Sequence, residues 1–315
     1  MEQLNKRIYI AGHKGLAGSA IHRKLTSKGY SNLILRTGKE LDLRDHNMTF
    51  EFFRKEKPEW VFLAAGRVGG IYANNTYPVN FLLDNLKIQN NIIEASYKFG
   101  VEKLLFLGSS CIYPKFAPQP LKEESLLTSS LEPTNEPYAI AKIAGIKLCS
   151  AMNRQYGTNF VSAMPTNLYG INDNYHKENA HMPAMLIRRF HEAKISGLYE
   201  VTVWGTGTPK REIMCSDDLA DGLVFLMGNY DSSSVDEIIN IGTGVEHTIS
   251  EIAQIIKEVV GYKGEILYDT TKPDGTPRKL MDVSKIAKLG WSYKINLIDG
   301  LRRAYEDFLV NHSTR

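Results

Sequence analysis

The chain has 315 residues, of which 43% are hydrophobic and 23% charged, so it can bury a sizeable core without disulfides or metals. Its formal net charge of +3, with both signs interspersed, does not indicate a nucleic-acid partner. Its three cysteines lack the C-x-x-C spacing of a zinc site, and no apolar stretch approaches the ~18 residues of a membrane span. We therefore expect a protein of the reducing cytoplasm, with no metal site, no membrane segment and no secretion signal.

Short apolar runs alternate with longer helical patterns through the first half of the chain. Nearly continuous apolar runs indicate strands buried on both faces of a parallel sheet, and the helical patterns between them give repeated βαβ units. The predicted strands are 7–11, 32–36, 60–65, 104–108 and 160–165, and the predicted helices are 19–28, 46–57, 80–99 and 138–156. This alternation predicts an α/β fold with a doubly wound parallel sheet of the Rossmann type.

The rhythm becomes irregular after Tyr169. A polar stretch at 172–179 and a short strand pattern at 201–204 indicate a second, smaller α/β lobe. A helix at 217–227 and a strand at 237–241 have the pattern of elements that return to the first sheet. We therefore predict a nucleotide-binding domain of residues 1–168, joined by 216–243, and a substrate-binding lobe of residues 169–215 and 244–315.

A glycine-rich loop follows the first predicted strand and opens the first helix. Its G-x-x-G-x-x-G spacing consists of Gly12, Gly15 and Gly18. Glycines let the backbone turn sharply and approach a pyrophosphate, which then binds the free N–H groups at the start of a helix. An ordinary glycine-rich turn is the alternative, but the position on the first βα turn of a doubly wound sheet favours dinucleotide binding.

Basic residues stand where an NAD site would offer an acid to the ribose. The second predicted strand ends at Arg36, and Lys14 lies in the glycine loop. Both cations favour a 2′-phosphate, and therefore NADP(H), although solvated surface charge is the alternative for each. Asp42 follows the same turn and is a candidate contact for the adenine.

A tyrosine and a lysine lie four residues apart on one predicted helix. Tyr138 and Lys142 therefore share a helix face, where the ammonium is expected to lower the pKa of the phenol. Ser109 follows the fourth predicted strand, whose carboxyl end faces the ligand crevice of such a sheet. Glycine loop, serine and Tyr-x-x-x-Lys occur here in the order typical of the extended short-chain dehydrogenase/reductase family, which this sequence resembles.

Four flanking segments make the resemblance closer and extend it over essentially the whole chain. They are similar to segments of the GDP-4-keto-6-deoxymannose epimerase-reductases of that family and lie at 108–115, 132–142, 165–170 and 272–279. The resemblance implies NADP(H) as cofactor, a GDP-linked keto-deoxy sugar as substrate and a homodimer formed by helices 80–99 and 138–156. It also implies inversion of the sugar at C3 and C5, followed by reduction at C4.

The same resemblance assigns roles to individual residues. Ser109 and Tyr138 are expected to hydrogen-bond the C4 carbonyl, while Lys142 binds the nicotinamide ribose. Cys111 and His181 resemble the base and the acid of the epimerisation; a buried filler and a helix cap are the alternatives. The further cofactor residues that it implies are Leu16, Ala64, Pro165, Asn167, Leu168 and His181. The substrate residues that it implies are Asn167, Arg189, Trp204, Arg211 and Lys279.

Three other functions remain open from the sequence. A dehydratase or simple C4-epimerase of the same fold typically keeps carboxylates beside the tyrosine, where this chain has Cys111. A related epimerase-reductase would act on another GDP-4-keto sugar, of the colitose or the 6-deoxyheptose type, since pocket shape decides such differences. A non-catalytic nucleotide-binding subunit would have no need of Ser109, Tyr138 and Lys142 together.

Overall fold

The computed structural model describes residues 2–177, 179–272 and 274–312, and its elements are named in chain order. The strands are β1 (Ile8–Ala11), β2 (Leu33–Ile34), β3 (Trp60–Leu63), β4 (Lys103–Leu107), β5 (Phe160–Pro165), β6 (Asn167–Tyr169), β7 (Glu200–Trp204), β8 (Lys210–Arg211), β9 (Ile213–Cys215), β10 (Ile239–Ile241), β11 (His247–Thr248), β12 (Glu265–Asp269) and β13 (Arg278–Lys279). The helices are α1 (Leu16–Ser27), α2 (His46–Glu56), α3 (Ile71–Thr76), α4 (Pro78–Lys98), α5 (Glu136–Tyr156), α6 (Met182–Ile195), α7 (Ser216–Asn229), α8 (Ile249–Val260), α9 (Ser284–Lys288) and α10 (Leu297–Asn311). The predicted segment 272–279 contains Pro273, which lies outside the described residues, as do Met1, Glu178 and residues 313–315 of the predicted domains.

A parallel six-stranded sheet in the order β10-β5-β4-β3-β1-β2 confirms the predicted doubly wound fold. One face packs on α2, α4 and α5, and the other on α1 and α7. The predicted strand at 32–36 is reduced to the two residues of β2, because this edge strand pairs only with β1. The order reverses beside β1, so the carboxyl ends of β1 and β3 diverge into a ligand crevice.

The strand predicted at 237–241 forms β10 and pairs in parallel with β5. Three smaller sheets lie outside the central one, in the orders β11-β8-β13, β12-β7 and β6-β9. A separate apolar core, formed mainly by α6, α8 and α10, supports them. Among the helices that the structure describes, none is long and apolar enough to cross a membrane.

Candidate active site

The glycine loop after β1 has a backbone that side chains would obstruct. Gly12 has φ +86°, and a Cβ there would lie 2.8 Å from the backbone of Ala65. A Cβ on Gly18 would overlap the carbonyl oxygen of Gly12, whereas one on Gly15 would keep an ordinary distance of 3.5 Å from it. Gly15 is the N-cap of α1 and provides no side-chain cap, so the first N–H groups of the helix remain available to an anion.

A crevice of about 440 Å³ opens beside this loop. It is lined by six of the predicted cofactor residues, namely Gly12, Lys14, Gly15, Arg36, Asp42 and Ala64. Leu16 and Gly18 follow in α1, behind the lining residues. Glycines that admit a close backbone approach, a free helix start and basic side chains together fit the pyrophosphate and the 2′-phosphate of a dinucleotide.

Arg36 and Asp42 are both already engaged with charged neighbours. The Arg36 guanidinium donates to Glu56 and to the Leu35 carbonyl, each at 2.8 Å. Arg44 donates to both oxygens of Asp42, at 2.9 and 2.8 Å, and these hydrogen bonds lower the pKa of Asp42 to about 2. A ligand at Arg36 must therefore compete with Glu56.

Three residues of this crevice were missed in the sequence. Arg67 lies 3.1 Å from Asp84 of α4, which also lies 3.7 Å from Arg44, and all three side chains line the crevice. Asn85 fixes the segment after β3 by exchanging hydrogen bonds with the backbone N–H and carbonyl of Arg67, each at 3.0 Å. The glycine-rich stretch at 66–70, directly after a buried strand, was the signal that could have identified this segment.

The predicted tyrosine, lysine and serine converge where β4 meets α5. Tyr138 is only 7% exposed, and burial raises its pKa, as does the charge of Cys111, while a hydrogen bond with Ser109 partly offsets both. Lys142 donates to the Leu107 carbonyl at 2.9 Å, and burial lowers its pKa to about 8. The expected lowering of the phenol pKa by Lys142 is thus wrong for this structure, because desolvation dominates both groups.

Cys111, His181 and Lys279 come from three distant segments of the chain. Cys111 packs against Phe81 and Tyr138, and the Lys279 ammonium donates to its Sγ at 3.6 Å. His181 is the N-cap of α6 but makes no side-chain cap hydrogen bond. Burial lowers the pKa of His181, and the charge of Lys279 lowers it further. Lys279 therefore influences both residues predicted for epimerisation.

The other predicted substrate residues lie on the smaller lobe. Trp204 is 57% exposed, with the Arg189 guanidinium 5.9 Å and the Lys272 ammonium 5.6 Å from its ring centroid. Arg211 is largely buried on β8, where Lys279 is its register partner on β13. This arrangement offers an open aromatic face flanked by cations, as a nucleotide base and its phosphates require.

Asn167 and its neighbours connect the central sheet to the smaller lobe. The Asn167 amide donates to the Glu212 carbonyl at 3.1 Å, and β6 pairs with β9 in parallel. Pro165 ends β5 opposite Ile241, and Leu168 pairs with Met214. These residues therefore lie at the carboxyl end of β5, the edge at which the crevice opens.

Comparison with known proteins places this geometry in a family. The model of the NAD dependent epimerase/dehydratase family matches residues 8–242. GDP-L-fucose synthase 1 of Arabidopsis thaliana is 58% identical, covering 100% of this chain and 97% of its own. GDP-L-fucose synthase of Escherichia coli K12 is 52% identical, covering 97% of each chain. The crystal structure of a GDP-L-fucose synthetase from Naegleria fowleri bound to NADP has a TM-score of 0.89 and 30% identity, covering 98% of this chain and 93% of that one.

Proposed function

Because this chain belongs to the NAD dependent epimerase/dehydratase family, we propose that it converts GDP-4-keto-6-deoxy-D-mannose into GDP-L-fucose. The reaction inverts C3 and C5 of the keto sugar and then reduces C4 with NADPH. One observation carries the proposal beyond the family. A reductase set of Ser109, Tyr138 and Lys142 adjoins a thiol whose lysine neighbour also acts on a buried histidine.

NADPH, when bound, supplies the hydride that reduces C4. The glycine loop and the start of α1 would hold its pyrophosphate, as the glycine contacts and the free helix start support. Lys14 and Arg36 would bind the 2′-phosphate, with Glu56 keeping the Arg36 guanidinium oriented. The resemblance adds Leu16, Ala64, Pro165 and Leu168 to this binding surface.

The epimerisation follows from the acidity of protons next to a carbonyl. Cys111, as thiolate, removes a proton from C3 or C5, and the electron pair moves into an enolate at C4. Ser109 and Tyr138 stabilise that enolate oxygen by hydrogen bonds. His181, as imidazolium, returns a proton to the opposite face, so the carbon is inverted without net oxidation or reduction.

The reduction uses the buried phenol as a general acid. Burial keeps Tyr138 protonated through the neutral range, because it raises the pKa of the phenol. As hydride reaches C4, Tyr138 donates its proton to the C4 oxygen. Lys142 binds the nicotinamide ribose from the buried position in which it now donates to the Leu107 carbonyl.

The smaller lobe would hold the GDP part of the substrate. Trp204 stacks on the base, while Arg189 and Arg211 bind the phosphates and Asn167 the sugar diphosphate. We assign residues 1–168 with 216–243 to the cofactor domain, and 169–215 with 244–315 to this lobe. We also propose a homodimer through α4 and α5, acting in the cytoplasm.

The decisive experiment follows the proton at each carbon. Purified protein is incubated with GDP-4-keto-6-deoxymannose and NADPH in deuterated water, and the product is identified by NMR. GDP-L-fucose with deuterium at C3 and C5 is expected. Cys111→Ser and His181→Gln should lose exchange and inversion while still reducing the unepimerised ketone. Wild-type exchange in both variants would contradict the base and acid, and reduction without inversion by the wild type would contradict the epimerase.

A further inference from the structure

Lys279 has an unusual position among the cations of the smaller lobe. In the described part of the chain, the only hydrogen bond of its ammonium is the one to Cys111 Sγ, and no carboxylate lies within ion-pair distance. Its neighbours differ, because Arg278 and Lys210 both pair with Glu246, at 2.7 and 3.2 Å. The charge of Lys279 is therefore not neutralised by the protein.

The backbone around Lys279 is held on both sides. The Lys279 carbonyl accepts from the Glu212 N–H at 3.1 Å, and Gln119 Oε1 accepts from the Leu280 N–H at 2.9 Å. The Leu280 carbonyl accepts from the Leu121 N–H at 2.7 Å. These contacts fix the strand from which the ammonium reaches Cys111, so the pairing is a property of the fold.

We propose that Lys279 is a positioning residue for epimerisation, holding Cys111 as a thiolate aimed at the sugar before substrate arrives. The inference rests on the proposed function, in which Cys111 is the base. A positive charge donating to sulfur favours the thiolate over the thiol. The same charge makes a nearby imidazolium a stronger acid, in agreement with the lowered pKa of His181. One ammonium thus prepares the base and the acid together.

The proton balance is closed by the two groups themselves. The thiolate takes a proton from C3 or C5 and becomes a thiol, while the imidazolium gives one to the opposite face and becomes neutral. Solvent exchange then restores both groups, and no oxidant or reductant is needed. Lys279 keeps its proton throughout and contributes only its charge and its hydrogen bond.

Other charged or titratable groups surround Cys111. Lys115 is neutralised by Glu132 at 2.9 Å, and Arg278 by Glu246. Tyr138 and Lys142 approach from α5, and an ionised Cys111 raises the pKa of Tyr138, which keeps the phenol protonated for the later reduction. The groups that face the thiol are Tyr138, Lys142, His181, Lys115, Glu132, Arg278, Lys279 and the register partner Arg211. Lys279 is the one in hydrogen-bond contact with the sulfur.

The test is the pH profile of Cys111 alkylation in the full-length protein without substrate. Iodoacetamide labelling is followed by peptide mass spectrometry from about pH 6 to about pH 10. Cys149 and Cys215 are 1% and 2% exposed, so the half-buried Cys111 is the reactive thiol. Lys279→Met should move the midpoint to higher pH, with ~10-fold less thiolate at neutrality. Lys279→Arg should retain most of the wild-type midpoint, and Arg278→Met should leave it unchanged.

Turnover then separates this role from phosphate binding. Deuterium exchange at C3 and C5 should fall in Lys279→Met, even at saturating substrate, and be largely restored in Lys279→Arg. An unchanged alkylation midpoint in Lys279→Met overturns the proposal, and a raised KM as the sole effect points to phosphate binding instead. If Cys111→Ser exchanges like the wild type, the proposed base is wrong, while the alkylation midpoint still decides whether Lys279 acts on the thiol.

Discussion

Tyr138 combines deep burial with a position next to the Ser109 hydroxyl and the Cys111 thiol. Its ring contacts Phe81 edge-on, with centroids 6.4 Å apart, and these contacts do not involve the phenolic oxygen. The hydroxyl group can therefore be removed with little change in packing. This makes its chemical role separable from its structural one.

We expect Tyr138→Phe to lower the reduction rate by ~100- to 10,000-fold, as for loss of a general acid. NADPH affinity, measured by fluorescence titration, should be unchanged because the ring remains. Tyr156→Phe is the control, since Tyr156 lies exposed at the other end of α5 and stacks on Tyr97. A reductase rate near that of the wild type would remove Tyr138 from the mechanism.

Lys142 carries a cost to folding that its function explains. Its folded pKa of about 8 lies below the 10.5 of an exposed lysine, so the unfolded chain binds more protons between these values. Stability therefore rises with pH across that window, and the destabilising contribution is fully present below about pH 8.

Lys142→Met should accordingly stabilise the cofactor-free protein at neutral pH, by up to about 3 kcal/mol less the lost hydrogen bond to Leu107. The gain should shrink as pH approaches 10.5. Urea unfolding at several pH values measures it. Lys147→Met, on the exposed side of α5 and paired with Glu237, should show no such pH dependence. A loss of stability in Lys142→Met at neutral pH would contradict the burial penalty.

At the scale of elements, the β1–α1 turn depends on two glycines for different reasons. Gly18 lets α1 pack against the Gly12 carbonyl, whereas Gly15 has open space and an ordinary backbone conformation, with φ −81°. Gly18→Ala should lower the melting temperature and displace the phosphate-binding turn, because a backbone atom cannot yield to the added methyl. Gly15→Ala should leave the melting temperature nearly unchanged. Equal melting temperatures for the two variants would contradict this packing.

Glu212 joins several elements through a completely buried carboxylate. Its Oε1 accepts from the N–H groups of Thr243 and Gly244 at 2.5 and 3.0 Å, and its Oε2 accepts from the Met281 N–H at 2.7 Å. It thereby ties the loop after β10 to the segment after β13. Burial raises its pKa, and these hydrogen bonds partly offset that shift.

Glu212→Gln should lower the free energy of unfolding by ~1–3 kcal/mol, because an amide has only one acceptor oxygen and leaves a buried N–H unpaired. It should also weaken substrate binding, since Arg211 and Lys279 lie on the strands that Glu212 connects. Glu246→Gln, which breaks more exposed ion pairs with Lys210 and Arg278, should cost less than ~1 kcal/mol. Similar unfolding midpoints for both variants would show that Glu212 has no linking role.

At the scale of the whole molecule, α4 and α5 pack against each other and leave apolar side chains outside. Leu83 and Ile140 are 46% and 43% exposed, and Val79 is 69% exposed. If these helices form the proposed dimer, Leu83→Glu with Ile140→Glu should yield monomers in sedimentation analysis, because the introduced charges would be buried unpaired. Leu198→Glu, 57% exposed after α6, is the matched control and should remain dimeric. A monomeric wild type would refute the dimer outright.

Local spacing carried much of this protein's description. Alternating apolar runs predicted the strands, the glycine spacing predicted the turn at Gly12, and Tyr138 with Lys142 predicted a shared helix face, because each depends on residues adjacent along one element. The net electrostatics did not follow from spacing, since burial outweighs Lys142 in setting the pKa of Tyr138. Desolvation depends on everything packed around a group, and spacing does not report that.

The sequence by itself determined the sheet, the cofactor turn and the reductase residues, since these follow from short-range periodicity and from a resemblance carried by contiguous segments. Only the tertiary structure decided which distant side chains meet. It pairs Arg36 with Glu56, draws Arg67 to Asp84, and brings Lys279 to Cys111 across 168 positions of the chain. Such contacts arise where separately folded strands and helices pack, and the resulting distances are a property of the folded whole rather than of any one segment.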